Sequence, residues 1–168
     1  MTGQNALEAA MRGYDGRRTA TVLTDVVAAD FPDLELAYLE LQGDPERLIQ
    51  ALLNIARNAA QAIMNRPEAD AEGQITFRTR VARQVTLAKK RFPLAIELQV
   101  IDNGPGIPDD IRDRIFYPLV SGRENGSGLG LSLAQSFIEQ HHGAIEVESR
   151  PGWTCFTLFI PITRETDA

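Results

Sequence analysis

Hydrophobic positions along the chain change period several times, and each change predicts an element. Residues 6–11 and 19–30 are helix-compatible stretches joined by a glycine-interrupted basic link over 13–18, and this beginning reads as a cut edge. Phe31-Pro32-Asp33 breaks the pattern, after which Leu34, Leu36 and Tyr38 alternate with their neighbours in a run to Leu41 that suits a strand. Past Gly43, Asp44 is placed to cap a helix and Pro45 to open it, which predicts a helix over 45–65. Its apolar face carries Leu48, Leu52, Ile55, Ala59 and Ile63. Period two follows in Ile75, Phe77, Thr79 and Val81, and again in Leu94, Ile96, Leu98 and Val100. The two runs predict an antiparallel strand pair with a polar connection between them.

Between Asp102 and Gly130 lie six glycines and three prolines, more than a regular element tolerates, so a long functional loop is predicted there. Helical spacing returns over 129–141, with Gly143 placed to stop the helix in a left-handed conformation. Residues 144–149 and 154–161 then read as two closing strands, and 164–168 as a dispensable tail. The order is mixed α and β without internal repeats, and a length of 168 residues predicts one compact unit.

Composition narrows the function classes. The 17 basic and 23 acidic side chains leave a net charge of −6, which argues against a general surface for nucleic acid or acidic lipid. Hydrophobic residues at 43% and charged ones at 24% are globular values. The single cysteine, Cys155, excludes an internal disulfide and a cysteine-based zinc site, and points to a reducing compartment, the cytoplasm. No apolar run is long enough to span a membrane, and the first residues lack the blocks of a signal peptide.

Three segments carry candidate chemistry. Asn54 and Asn58 stand four apart on one helix face, beside Arg57 and one turn before Gln61. An amide oxygen is a hard neutral ligand for Mg²⁺, an ion that takes its remaining ligands from water and phosphate, although an isolated pair of this kind more often caps or faces solvent. Asp102-Asn103-Gly104-Pro105-Gly106 follows a strand, so a carboxylate sits at the strand end while glycines let a flat ligand approach; a plain tight turn fits equally well. The carboxylate accepts hydrogen bonds only, which suits the amino group of adenine and opposes the carbonyl of guanine. Gly126-Ser127-Gly128-Leu129-Gly130 opens a helix, where bare amides form a phosphate site. A P-loop is excluded because no Gly-Lys-Ser or Gly-Lys-Thr occurs, and a Rossmann turn because no buried strand precedes these glycines.

In this order the three segments resemble the ATP-binding domain of sensor histidine kinases, members of the wider gyrase, Hsp90 and histidine kinase class. Leu52-Leu53-Asn54-Ile55-Ala56-Arg57-Asn58-Ala59 is similar to the N box of that family. Asp102-Asn103-Gly104-Pro105-Gly106-Ile107-Pro108 and Gly126-Ser127-Gly128-Leu129-Gly130-Leu131 are similar to its two glycine boxes. Ile115-Phe116-Tyr117-Pro118-Leu119 resembles the F box, and Gly152-Trp153-Thr154 a degenerate final box. The run 117–124 and the connection 84–92 resemble the nitrogen-regulation branch in particular.

The resemblance implies a Bergerat-type α/β sandwich, a mixed and mostly antiparallel sheet packed against about three helices. It implies a catalytic domain over 31–163, with 1–30 as a remnant or connector to a missing acceptor hairpin. The implied cofactors are ATP and Mg²⁺. Asp102 would select adenine with room made by Gly104 and Gly106, and Gln61, Ile107, Phe116 and Thr154 would complete the nucleotide site. Asn58, helped by Asn54, would hold the metal; Gly126, Gly128, Leu129 and Gly130 would cradle phosphate under a lid over 117–126, and Arg123 would neutralise the γ-phosphate. The implied partners are a histidine-bearing dimerisation domain, an NtrC-like response regulator and a PII signalling protein, with the isolated domain a monomer.

Related ATPases carry a glutamate one turn before the metal asparagine, where this chain has Asn54, and an amide cannot activate water. That favours transfer to a protein side chain over hydrolysis. A class-related ATPase, an anti-sigma serine kinase and a nucleotide-dependent docking module for a regulatory protein are the competing readings. His141 and His142 fall at a helix end without an acidic neighbour, which fits capping or surface roles, and Trp153 fits packing.

Overall fold

The computed structural model describes residues 20–26, 43–66, 72–120 and 127–162, with 20–26 described as backbone. In chain order these form β1 (Ala20–Val26), α1 (Pro45–Met64), β2 (Gly73–Leu87), β3 (Lys90–Asp102), α2 (Asp109–Arg112), α3 (Gly130–Gln140), β4 (Ala144–Arg150) and β5 (Trp153–Pro161). The strands make one sheet in the order β1-β2-β3-β5-β4, with β1 parallel to β2 and every other pair antiparallel. The expected mixed, mostly antiparallel sheet with about three helices is what forms. The strand expected over 34–41, the helical stretch over 6–11 and the tail lie outside the described residues. Among the described residues no helix is long and apolar enough to cross a membrane.

Period two puts Ile75 and Phe77 of β2, Val100 of β3 and Phe156, Leu158 and Ile160 of β5 on one face of the sheet, where they form the core with α1 and α3. The face that α1 turns to them is rich in alanine: Ala51, Ile55, Ala56, Ala59, Ala60 and Ile63 are all buried. Small side chains bring the helix backbone close to the sheet and to α3, whose Ala134 and Ile138 are likewise buried. Leu48 and Leu52, predicted on the apolar face, pack against this cluster half-buried.

Both ends of the helix pair are tied. Asp44 caps α1 by accepting from the Glu46 and Arg47 amides at 3.0 and 3.3 Å. The Asp44 amide in turn donates to His141 Nε2 at 2.8 Å. His141 Nδ1 lies 2.6 Å from the Phe137 carbonyl oxygen, which only accepts; Nδ1 therefore carries the proton, leaving Nε2 free to accept. His141 thus joins the C-terminal end of α3 to the N-terminal end of α1. Gly43 leaves room for the ring, since a Cβ there would stand 2.5 Å from His141 Cδ2.

Three local expectations need correction. Part of the helix-compatible run 19–30 forms strand β1, because parallel pairing from Ala20↔Gly73 to Val26↔Thr79 overrides a weak local preference. The polar connection between the two central runs is strand as well, with the ladder extending to Leu87↔Lys90 around a two-residue turn at Ala88 and Lys89. Gln84, at φ 53°, stands opposite Pro93 and drops out of that ladder, yet the inward positions keep their parity through Val85 to the buried Leu87; polar Arg83 in that phase is what ends the alternation in the sequence. Finally, the left-handed residue that stops α3 is His142, at φ 59°, and not Gly143. Gly143 is needed for closeness instead: a Cβ would lie 2.2 Å from the Phe159 carbonyl oxygen.

Cys155 is buried on β5, and burial pushes its thiol pKa up, partly opposed by the Thr157 hydroxyl, so the thiol is poorly reactive at neutral pH. Because His141 accepts one hydrogen bond from the start of α1 and donates a second to the last turn of α3, His141→Ala is expected to cost about 1–2 kcal/mol of unfolding free energy. Urea denaturation reads this as a lower midpoint at unchanged slope; an unshifted midpoint would show that the junction carries no stability.

Candidate nucleotide site

A cavity of about 780 Å³ opens between α1, the loop after β3 and the start of α3. Asn54, Asn58 and Gln61 line it from α1, because positions spaced by four and three residues share a helix face. Gly106 and Ile107 line it from the loop, Gly128 and Gly130 from the start of α3, and Thr154 from β5. Eight of the predicted site residues, distant in sequence, thus meet around one space. A smaller cavity of about 480 Å³, at the far ends of α1 and α3 beside Arg47, Lys90 and His142, contains none of them.

The loop after β3 is shaped by contacts that leave no room for side chains. Asp102, 3% exposed, accepts from the Gly104 amide at 2.9 Å and does not itself line the cavity. A Cβ on Gly104 would stand 2.7 Å from that carboxylate oxygen and 3.1 Å from Ala62 Cβ, so glycine lets the loop lie against α1. Gly106 adopts φ 88°, and a Cβ there would be 2.5 Å from the Arg150 carbonyl oxygen. The Ile107 amide donates to Ser149 Oγ at 2.8 Å, and Ser149 Oγ lies 3.0 Å from Thr154 Oγ1, so the loop is fastened to β4 and β5.

At the opposite wall, α3 begins at Gly130 with no side-chain cap, which leaves the amides of its first turn without helical partners. Gly128, at φ 65°, packs within 2.7 Å, measured from an added Cβ, of the Leu119 backbone. The Leu119 amide donates to the Gly128 carbonyl at 2.9 Å. Asn54 spans from α1 to this wall: its Nδ2 donates to the Gly130 carbonyl at 3.2 Å, while its Oδ1 accepts from Gln50 Nε2 at 2.9 Å. Both polar atoms of Asn54 are therefore engaged within the protein, and Asn54 and Asn58 both stand at the cavity wall.

Other predicted residues stand elsewhere. Phe116 packs edge-on against Phe156, with ring centroids 6.3 Å apart, and it and Leu129 do not line the cavity. Arg123 and Gly126 lie outside the described residues. Two cations line the cavity that sequence reasoning did not assign to it, Arg57 and Arg112. Arg57 was within reach, being three residues after Asn54 and four before Gln61 on the same face. Arg112, paired at 2.6 Å with Asp109, gave no periodic cue. Among the described residues no group of three His, Cys, Asp or Glu side chains can hold a metal, so a cation here would take most of its ligands from a bound phosphate or water. Trp153 lies half-buried under the Arg150 guanidinium, 4.5 Å from its ring centroid, beside Thr154.

Comparison with known proteins identifies the family and the fold. The family described as histidine kinase-, DNA gyrase B-, and HSP90-like ATPase matches residues 43–164. The chain is 52% identical over 132 residues to the sensory histidine kinase/phosphatase NtrB of Salmonella typhimurium, covering 79% of this chain and 36% of that protein. To NtrB of Vibrio alginolyticus it is 47% identical over 132 residues, covering 79% and 37%. The chain thus spans little more than a third of the length of these relatives. Among solved structures, the catalytic domain of histidine kinase ThkA is 26% identical with a TM-score of 0.64, covering 96% of this chain and 88% of that one. A mycobacterial sensor histidine kinase, MprB, shares the fold at a TM-score of 0.64 and 23% identity, covering 94% and 93%.

Because Gly106 combines a left-handed φ with contact against Arg150, Gly106→Ala is expected to destabilise the fold by roughly 1–3 kcal/mol and to displace the loop wall. A thermal melt with Trp153 fluorescence checks both; unchanged melting and emission would show that the loop accommodates a side chain.

Proposed function

The chain belongs to the histidine kinase-, DNA gyrase B-, and HSP90-like ATPases, and on that premise we propose that it is the ATP-binding catalytic domain of a sensor histidine kinase of nitrogen regulation. It transfers the γ-phosphate of ATP to a histidine on a dimerisation domain, for relay to an NtrC-like response regulator. The observation that carries the reading is the convergence, on one cavity, of the α1 amide row, the glycine loop after β3 and the uncapped start of α3. The catalytic domain occupies 31–163 and residues 1–30 are the connector to the acceptor hairpin, of which β1 pairs with the edge of the sheet. A PII signalling protein is the regulatory partner, the isolated domain is a monomer, and the setting is cytoplasmic.

In this reading Asp102 receives the adenine amino group, and Gly104 and Gly106 admit the ring beside Ile107 and Thr154. The first-turn amides of α3, reached through Gly126, Gly128, Leu129 and Gly130, take the phosphates, since a helix N-terminus favours negative charge. Asn58 and Gln61 face the same space. The donor set fits Mg²⁺: a neutral amide at the wall suits an ion that arrives with the phosphates. Asn58 would hold the ion, which would supply charge neutralisation at the phosphate oxygens, and Asn54, engaged with Gln50 and Gly130, keeps α1 in register with α3. The acceptor imidazole nitrogen attacks the γ-phosphorus as the bond to the β–γ bridging oxygen breaks, and ADP leaves with that oxygen. Arg123 steadies the charge on the transferred group.

Asn54 also weighs against hydrolysis. Its amide has no basic lone pair to take a proton from water, and both its ends are occupied, so nothing at that position activates a water molecule.

Two outcomes test the reading. Calorimetric titration is expected to show Mg²⁺-dependent ATP binding, with the magnesium-dependent gain reduced by at least the roughly 10- to 100-fold that losing even an outer-shell partner costs in Asn58→Ala. Equal binding with and without Mg²⁺ removes Asn58 from this role. In the second, the chain incubated with labelled ATP is expected to release little phosphate and to carry no label on His141 or His142, while labelling a separately supplied histidine hairpin. Rapid phosphate release would identify an ATPase instead, and label on either histidine would overturn the acceptor argument.

A further inference from the structure

Asp102 is the last β3 residue in register with β2, facing Ile75, and the chain turns sharply after it. Asn103, the next residue, fastens that turn on three sides. Its Oδ1 accepts from the Gln74 amide at 2.8 Å and its Nδ2 donates to the Glu72 carbonyl at 2.9 Å. Its own amide donates to the Gln74 carbonyl at 3.3 Å. Its carbonyl accepts from Arg66 Nη1 at 3.1 Å, just beyond the end of α1. The carboxamide therefore extends the β2–β3 ladder past the point where backbone pairing stops.

The usual reason for Asn-Gly in a turn is tolerance of positive φ, yet neither Asn103 nor Gly104 has it. Asparagine is required here for its side chain. Aspartate would set a second acceptor against the Glu72 carbonyl, and serine would not reach both partners. We infer that Asn103 is a positioning residue for base selection: it holds Asp102, and through Arg66 the end of α1, at the spacing that lets the carboxylate distinguish an adenine from a guanine nucleotide. The inference rests on Asp102 as the adenine-selecting group. Asn103 itself does not line the cavity, so it acts through its neighbour.

The test is titration of the chain with MgATP and with MgGTP for the unaltered protein, Asn103→Ala, Asn103→Asp and, as a destabilised control far from the site, His141→Ala. The unaltered protein is expected to prefer ATP by about tenfold or more, as a buried acceptor–acceptor mismatch demands, and Asn103→Ala to lower that preference about fivefold, chiefly through weaker ATP binding. Asn103→Asp, which keeps the acceptor for the Gln74 amide, is expected between the two. His141→Ala should keep the full preference despite its lower melting temperature. If Asn103→Ala melts lower but keeps the full ATP preference, its role is structural only and the inference fails; should that variant not fold, Asn103→Asp carries the same comparison. If the unaltered protein does not prefer ATP, the reading of Asp102 fails and takes the inference with it.

Discussion

The short separation between α1, the sheet and α3 is the constraint on which the site depends. Alanines at 51, 56, 59 and 60 let the α1 backbone settle into the core, and Asn54 and His141 tie it to α3 at the two ends. A larger side chain at Ala59 or Ala134, both fully buried, would push the helices apart in an interior packed to near-crystalline density. The start of α3 would then move away from the α1 amide row, and one wall of the cavity would be lost. The packing that makes the core also sets the width of the functional space.

The walls differ in how they are held. The loop after β3 is pinned by hydrogen bonds to Ser149, to the start of β2 and to Arg66, so that wall of the cavity is fastened at three places. At the start of α3 the chain is held by the Leu119 amide on the Gly128 carbonyl, by the close approach that Gly128 permits and by Asn54 on the Gly130 carbonyl.

Much of this was legible in the sequence. The helix from Pro45 followed from its cap and period, and the amide row from spacings of four and three residues, because helix geometry alone sets which residues share a face. The strands at 75–81 and 94–100 followed from alternation. The connection at 84–92 was not legible, because polar Arg83 falls in the apolar phase, and whether the ladder continues past it depends on a partner strand. The left-handed stop of α3 fell on His142 because the tight packing of Gly143 against Phe159 and Ile138 set the path of the chain there.

By itself the sequence determined which residues share a helix face or a strand face, where α1 and α3 begin, and which glycine-rich segments can approach a ligand, since all of these are consequences of local geometry. Only the tertiary structure decided that Asn54 is engaged between Gln50 and Gly130, that Arg57 and Arg112 join the site, and that Asp102 lies beneath it with Asn103 fastening the turn. Those outcomes depend on contacts between segments dozens of residues apart, and no local pattern encodes a distance that is set by how two helices and a sheet pack together.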